Sequence, residues 1–170
     1  MCHVVFRNQI QTCEILDLFD KGKKDGVQVD MNVIAGNGLV GIVSEVGESY
    51  AKVRAIIDDK SNVSAMFQDT GETCIVKGNM ESIYKGYIDI EMISNTAKIK
   101  DGDEVVTSHV SDKFLQGLSV GYVKDIVSDP SSQTKTAHLI PSVNFDQLEN
   151  VLVITQLKDN SEIKDIKNYD

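Results

Sequence analysis

The stretch Gly38-Leu39-Val40-Gly41-Ile42-Val43 is repeated later in the chain as Gly117-Leu118-Ser119-Val120-Gly121-Tyr122-Val123. Each copy follows an Asp-Gly pair and a short apolar run, and residues 49–57 after the first copy align with residues 132–140 after the second. Repetition of several motifs in one order is the signature of a duplicated structural unit. The sequence therefore predicts two halves that share one plan.

Short runs of alternating apolar and polar residues occupy most of the chain and are separated by Gly, Asp and Asn. This period of two is typical of strands, and no long helical period is present. The predicted strands cover residues 3–7, 14–19, 40–46, 51–57, 64–68, 73–77, 87–93, 104–107, 120–127, 134–140 and 151–156. One short helical turn is predicted at residues 144–149, with Asn144 as its cap.

Many short strands in a duplicated unit predict an all-β fold of two small β-barrel-like domains, because closure of a barrel removes exposed sheet edges. We place the first domain at residues 1–74 and the second at residues 75–157. The two barrels are either contiguous or interleaved, and the last strand could close either of them. The polar tail at residues 158–170 is expected to be disordered.

The second copy of the repeat also fits G-x-S-x-G, the pattern that carries a nucleophilic serine in α/β-hydrolases. Asp125 and His138 follow Ser119 in the order that such hydrolases use. However, a nucleophile elbow must open a helix, whereas residues 121–127 have strand character. The first copy has no serine, and His138 aligns with Ala55 in a strand. We therefore interpret Ser119 as a tolerated turn residue and His138 as structural or solvent-facing.

The repeat keeps its glycines, which predicts that Gly38, Gly41, Gly117 and Gly121 form structural turns. Glycine supplies either a positive φ or a close approach of two backbones at a bend.

Composition excludes several classes of function. The formal net charge is −9, and no cluster of Lys and Arg is available for the phosphates of a nucleic acid. Cys2, His3 and Cys13 lack a convincing ligand spacing, so neither a metal nor a cofactor is expected. No apolar run approaches the length of a membrane span, and no signal peptide is recognisable.

Five motifs follow one another in the chain: DKGKKDGV at 20–27, GLVGIV at 38–43 with Val46-Gly47, DGDEVVTS at 101–108, Phe114 with GLSVG at 117–121, and FDQLENVLVI at 145–154. In this order they resemble the motifs of the MreC family, the rod shape-determining proteins of bacteria, from about Val4 to Thr155. Two departures concern the loop before the second repeat, where residues 109–113 replace a glycine-rich turn and Leu115 replaces a proline. Residues 1–13 also match poorly.

The resemblance implies a non-enzymatic scaffold that links the MreB cytoskeleton, through MreD, to peptidoglycan synthases and so maintains cell shape. The implied partners are a class B penicillin-binding protein, MreD, MreB and further copies of the chain itself. It also implies a place on the extracytoplasmic face of the cytoplasmic membrane. The family's N-terminal membrane helix and coiled coil are not recognisable here, so we expect the chain to be a soluble fragment whose Met1 is not the natural start.

Two other functions compete with the scaffold. Two β-barrels also describe chymotrypsin-like proteases, but only His3 and His109 precede Ser119, and neither is well placed as a catalytic base. A carbohydrate-binding module is disfavoured because the chain has no Trp and only five Tyr for stacking on sugars.

The sequence offers one candidate for a partner-binding site. Phe114 and Leu115 lie in the loop that departs most from the family pattern, and loops on a rigid barrel commonly carry binding residues. Alternatively, Phe114 folds back and plugs its own barrel, since large aromatic side chains are usually buried. Both interpretations remain open at the level of the sequence.

Overall fold

The structure is a computed structural model that describes residues 3–7, 19–128, 131–148 and 150–159. Within these residues nearly all regular structure is β. The strands are β1 (His3–Arg7), β2 (Asn32–Ala35), β3 (Gly38–Val46), β4 (Ala51–Ala55), β5 (Asn62–Phe67), β6 (Thr73–Lys77), β7 (Ile88–Ser94), β8 (Glu104–Thr107), β9 (Ser119–Ser128), β10 (Thr134–Pro141) and β11 (Asn150–Ile154). Helical structure is limited to α1 (Met80–Ile83) and two 3-10 turns at Lys23–Asp25 and Phe145–Gln147.

Six strands close into a barrel in the order β9-β10-β7-β6-β5-β8 and back to β9, with every pair antiparallel. Their buried residues alternate with half-buried or exposed ones, as in β5 and β6. Inward-facing residues of a small barrel fill its interior. The predicted all-β barrel fold is thus confirmed.

The remaining strands form a second group in the order β1-β11-β2-β3-β4. The last strand of the chain, β11, lies between β1 and β2, so the C-terminal segment is interleaved with the N-terminal half. A parallel pairing of Gly38 with Ser119 connects this group to the barrel through β3 and β9. Strand pairing places β5 in the six-stranded barrel, while the predicted domain division at residues 74 and 75 stays a prediction.

The repeat corresponds to two hairpins, β3–β4 and β9–β10. Gly41 pairs with Ala55 and Gly121 with Pro141, so that Arg54 and Ile140 occupy equivalent places. The predicted alignment of residues 49–57 with 132–140 is wrong by three positions, and His138 corresponds to Lys52 rather than to Ala55. Alternating residues look similar at several offsets, whereas hairpin length and bulges set the real register.

Strand β2 and helix α1 were not predicted from the sequence, and one predicted strand lies mostly outside the described residues. Helix α1 begins where the Asn79 side chain accepts hydrogen bonds from the amides of Glu81 and Ser82, at 3.0 and 3.2 Å. The strand predicted at 14–19 lies outside the described residues except for Phe19, which pairs with Ala51. The predicted turn at 144–149 is a 3-10 turn capped by Asn144, and Glu149 is not described.

One hydrophobic cluster includes buried residues from both strand groups. Phe19 and Leu39 enter it from the first group, and Phe67, Ile90 and Leu139 enter it from the barrel. Burial of side chains of this size supplies the main favourable term in folding, about 1.5–3 kcal/mol for each one. The shared cluster means that the two groups stabilise each other.

Candidate partner-binding site

The loop of residues 108–118 connects β8 to β9 and contains the predicted site. At its base the Thr107 hydroxyl donates to the carbonyl of Leu115 at 2.5 Å and accepts from the amide of Leu118 at 2.8 Å. Within it, the Ser111 hydroxyl accepts a hydrogen bond from the amide of Phe114 at 3.0 Å. The loop therefore has a defined shape built from its own short polar side chains.

Asn32, at the start of β2, fastens this loop to the other strand group. Its side-chain amide donates to the carbonyl of Lys113 at 3.0 Å, and its side-chain oxygen accepts from the amide of Leu115 at 2.7 Å. Asn32 is only 1% exposed. The sequence signal for it is a polar residue inside the apolar run 31–34, which sequence reasoning passed over.

The structure buries Phe114 and leaves Leu115 half-buried. Phe114 is 6% exposed and belongs to the hydrophobic cluster. A buried ring agrees with the alternative in which Phe114 plugs its own fold. Binding of a partner by Phe114 and Leu115 stays a prediction.

Beside this loop lies a cleft of about 430 Å³ between the two strand groups. We call it the inter-barrel cleft. Its walls come from β3 and β4 on one side and from the start of β5 and the 108–118 loop on the other. The residues that characterise it are Asp30, Ile42, Arg54, Lys60, Lys113 and Phe114. Neither Arg54 nor Lys60 was singled out from the sequence, because the two are brought together only by the fold.

The predicted structural glycines fall into two geometries. Gly117 has a left-handed φ of 84° in the turn before β9. At the other three, a Cβ atom would collide: with Val143 at Gly38, with the Arg54 carbonyl oxygen at Gly41, and with the Ile140 carbonyl oxygen at Gly121. Gly41 and Gly121 lie within strands β3 and β9 and not in turns as predicted. Each lies where the backbone of the paired strand approaches closely.

The structure separates the serine of the G-x-S-x-G pattern from the histidine. The Ser119 hydroxyl lies 2.8 Å from Glu104 Oε1 and 2.8 Å from the Ser142 hydroxyl. His138 pairs with Lys124, which lies five residues further along β9, or about 17 Å at 3.3–3.4 Å per residue. A base must reach its nucleophile within hydrogen-bond distance. The arrangement therefore does not pair His138 with Ser119.

His138 does contact Asp125, the proposed acid, with Nδ1 lying 3.8 Å from the carboxylate, and Asp89 lies 4.0 Å from Nε2. The Tyr87 ring stacks on the imidazole at a centroid distance of 3.9 Å. Of the two roles predicted for His138, structural or solvent-facing, these contacts of a half-buried side chain fit the structural one.

Three further observations concern metals, thiols and membranes. No group of three or more His, Cys, Asp or Glu residues suited to a metal ion occurs in the described part of the chain. Of the Cys2, His3 and Cys13 set, both cysteines lie outside that part.

Cys74 is buried, and burial raises its thiol pKa to about 12. The same described residues contain no helix with the length and apolar character needed to span a membrane.

Comparison with known proteins identifies the family. Residues 5–155 match the family model of the rod shape-determining protein MreC, barrel core. The chain belongs to the MreC family. Among curated MreC proteins, the cell shape-determining protein of Listeria monocytogenes is 30% identical over 159 residues, which is 89% of this chain.

Solved MreC structures share the fold. The crystal structure of MreC from Pseudomonas aeruginosa has a TM-score of 0.81 at 24% identity, covering 91% of this chain and 99% of that one. MreC of Helicobacter pylori, solved in a complex with the penicillin-binding protein PBP2, has a TM-score of 0.67 at 17% identity, covering 91% and 98%. At this identity the likeness concerns the fold alone.

The chain spans about half the length of most of the curated MreC relatives that it matches, for example 51% of the Listeria monocytogenes protein and 44% of the Haemophilus influenzae protein. The matched half is the barrel core, which is the region that both strand groups form.

Proposed function

We propose that this chain is the extracytoplasmic barrel core of a non-enzymatic scaffold for bacterial cell elongation. The observation that carries the proposal is the match of residues 5–155 to the barrel core of MreC. Curated relatives with this core are named for determining cell shape. A scaffold acts through binding surfaces rather than through a reactive centre, and the separation of Ser119 from His138 agrees with that kind of role.

The proposed partner is a class B penicillin-binding protein. Support comes from the Helicobacter pylori relative, whose MreC was solved bound to PBP2 and whose fold this chain shares along nearly its whole length. MreD, MreB and further copies of the chain complete the proposed assembly. Contact with MreB requires a membrane anchor in the full-length protein, which we place outside the barrel core.

Binding to the wall synthase can be measured directly. The tagged chain is immobilised and exposed to detergent-extracted membranes of its source bacterium, and bound penicillin-binding proteins are detected with a fluorescent penicillin. An unrelated β-barrel domain of equal net charge serves as the control for non-specific capture. We expect a class B enzyme to be enriched over the control; equal recovery of every penicillin-binding protein from both surfaces would contradict the proposal.

The proposed location has its own test. In the full-length gene, a reporter enzyme that is active only outside the cytoplasm is fused after residue 159. We expect this fusion to be active. A second fusion at the same residue carries a reporter that is active only in the cytoplasm, and activity of that fusion alone would place the barrel core on the cytoplasmic side of the membrane.

A further inference from the structure

Three cationic side chains, Arg54, Lys60 and Lys113, line the inter-barrel cleft together with two carboxylates, Asp30 and Asp112. Lys113 forms an ion pair with Asp30 at 3.6 Å. Arg54 and Lys60 are exposed in the same cleft, and no carboxylate of the described residues lies within 4.0 Å of either cationic group. In a chain of net charge −9, a concave site lined by three cations and two carboxylates is a local reversal of sign. Such a site attracts a carboxylate, to which Arg can bind through two parallel hydrogen bonds.

The floor of the cleft is apolar. Ile42 and Phe114 are 8% and 6% exposed there, and the half-exposed side chain of Val29 borders them. Burial of an apolar side chain from a ligand on this floor adds about 25 cal/mol for each Å² removed from water. A simple inorganic anion cannot use this surface, whereas a molecule with adjacent acidic and apolar groups uses both.

The remaining wall offers hydrogen-bonding groups of the kind that hold a peptide backbone. Asn62 is exposed at the start of β5, and Ser44 is exposed in β3, where its hydroxyl donates to the Lys52 carbonyl at 3.3 Å and can still accept a hydrogen bond. The volume of about 430 Å³ lies in the range of 300–1,000 Å³ that is usual for ligand pockets.

From this charge and shape we infer that the inter-barrel cleft binds an extended peptide segment that carries a carboxylate beside an apolar side chain. Arg54 and Lys60 hold the carboxylate, and Ile42 and Phe114 receive the apolar group. The inference does not rest on binding to a wall synthase, because the isolated chain and synthetic peptides suffice to test it.

Fluorescence anisotropy with labelled six-residue peptides tests the inference. One set contains Glu and Leu adjacent or one residue apart, and a matched set replaces each Glu by Gln. We expect the Glu peptides to bind and the Gln peptides to bind at least tenfold more weakly, because a hydrogen bond to a charged group contributes more than a neutral one. Equal binding of the two sets, or no binding of any Glu peptide at about 1 mM, overturns the inference.

Substitutions locate the site. Arg54→Gln and Lys60→Gln should each weaken binding of the Glu peptide about tenfold. Lys98→Gln removes an exposed lysine in the connection between β7 and β8, outside the cleft, and should leave the affinity unchanged. Since all three side chains are exposed, an unchanged melting temperature is expected and checks that each variant is folded. An equal loss in all three variants would show general attraction to cations and would overturn the inference.

Amide resonances in a nitrogen-labelled sample provide an independent readout. The Glu peptide should shift the resonances of Ile42, Asn62 and Phe114. Shifts confined to residues elsewhere overturn the inference. Inorganic phosphate is titrated at the same concentration as a comparison. If it shifts the same resonances as strongly as the peptide does, the cleft is a simple anion site and the inference is overturned.

Discussion

Gly41 and Gly121 occupy the same place in the two repeated hairpins, and each faces a carbonyl oxygen of its neighbouring strand. A Cβ atom would lie 2.1 Å from the Arg54 oxygen in the first hairpin and 2.2 Å from the Ile140 oxygen in the second. Backbone atoms of a paired strand cannot move aside without breaking the pairing. This contact explains why both copies of the repeat keep the glycine. The serine takes no part in this contact, and only the second copy has it.

Gly41→Ala and Gly121→Ala are therefore each expected to lower the free energy of unfolding by about 1–3 kcal/mol, the usual cost of an added methyl group in a closely packed place. Urea denaturation measures the change. Ser119→Ala is the control, because its hydroxyl is half-buried and the equivalent first-half position needs none; a cost near 1 kcal/mol or less is expected. Wild-type stability of both glycine variants would refute the close-approach explanation.

Substitution of Phe114 distinguishes a residue of the hydrophobic core from a residue that binds the partner. Because the ring is buried in the hydrophobic cluster, Phe114→Ser is expected to lower stability by about 3 kcal/mol or more. The melting temperature and the binding of the wall synthase are measured on the same variant, with Leu115→Ser as the half-buried comparison. Loss of binding at an unchanged melting temperature would instead identify Phe114 as a partner anchor.

Cys74 should be an inert thiol in the folded protein. Burial raises its pKa to about 12, so almost no reactive thiolate exists at pH 8. In the Cys2→Ser, Cys13→Ser background, we expect no reaction with a disulfide reagent at pH 8 until urea unfolds the chain. Rapid labelling of the native protein would contradict this burial.

The same pKa has a consequence for stability. The folded pKa lies above the ordinary thiol value near 8.5, so the protonated thiol's contribution is complete below about pH 8.5 and is lost as pH rises toward 12. Compared with Cys74→Ala, the wild type should therefore lose its relative stability between pH 8 and 11 in urea titrations.

At the scale of elements, the Asn32 side chain joins β2 to the 108–118 loop through two hydrogen bonds. Asn32→Ala leaves the Leu115 amide and the Lys113 carbonyl without their partner at a partly buried position, which should cost about 1–3 kcal/mol for each unsatisfied group that water cannot reach. Hydrogen exchange of residues 113–118 should become faster, while β6 and β7 remain protected. Asn62→Ala, at an exposed position, is the control; equal effects of the two would show that the clamp contributes nothing specific.

Strand identity was largely accessible from the sequence, whereas strand partners were not. Alternation, as in β5 and β6, is a local property, since one face is buried and the other is not. The four-residue strand β2 was missed because its four residues, NVIA, hardly alternate. Register depends on bulges, such as the one that lets Val43 face Val53 and Glu45 face Lys52. A period of two does not encode an inserted residue, which explains the three-residue error in the repeat alignment.

The candidate sites also differ in how far the sequence could predict them. The glycines could be predicted because each is repeated in the sequence, and the 108–118 loop because it departs from a family pattern. Arg54 and Lys60 belong to one cleft only because β4 and β5 are placed beside that loop. Residues collected from distant elements leave no local pattern, so the cleft required the structure.

At the scale of the whole molecule, the two strand groups depend on each other through the ends of the chain. β11 lies between β1 and β2, while the barrel of β5 to β10 closes on itself. Val151 and Val153 of β11 are buried in the shared hydrophobic cluster. The first group therefore needs a strand that arrives only after the barrel has been completed along the sequence, whereas the barrel needs none from outside its own segment.

Removal of residues 150–170 should consequently act unequally on the two groups. Without β11, β1 loses its described partner and β2 keeps only β3, so we expect amide protection to be lost in β1 to β4 and kept in β5 to β10. Hydrogen exchange read by mass spectrometry resolves the two segments. Removal of residues 160–170 alone is the matched control and should leave protection unchanged. If the longer truncation unfolds the barrel as well, the shared hydrophobic cluster rather than strand pairing makes the molecule one cooperative unit; unchanged protection of β1 to β4 would show that β11 is dispensable to the first group.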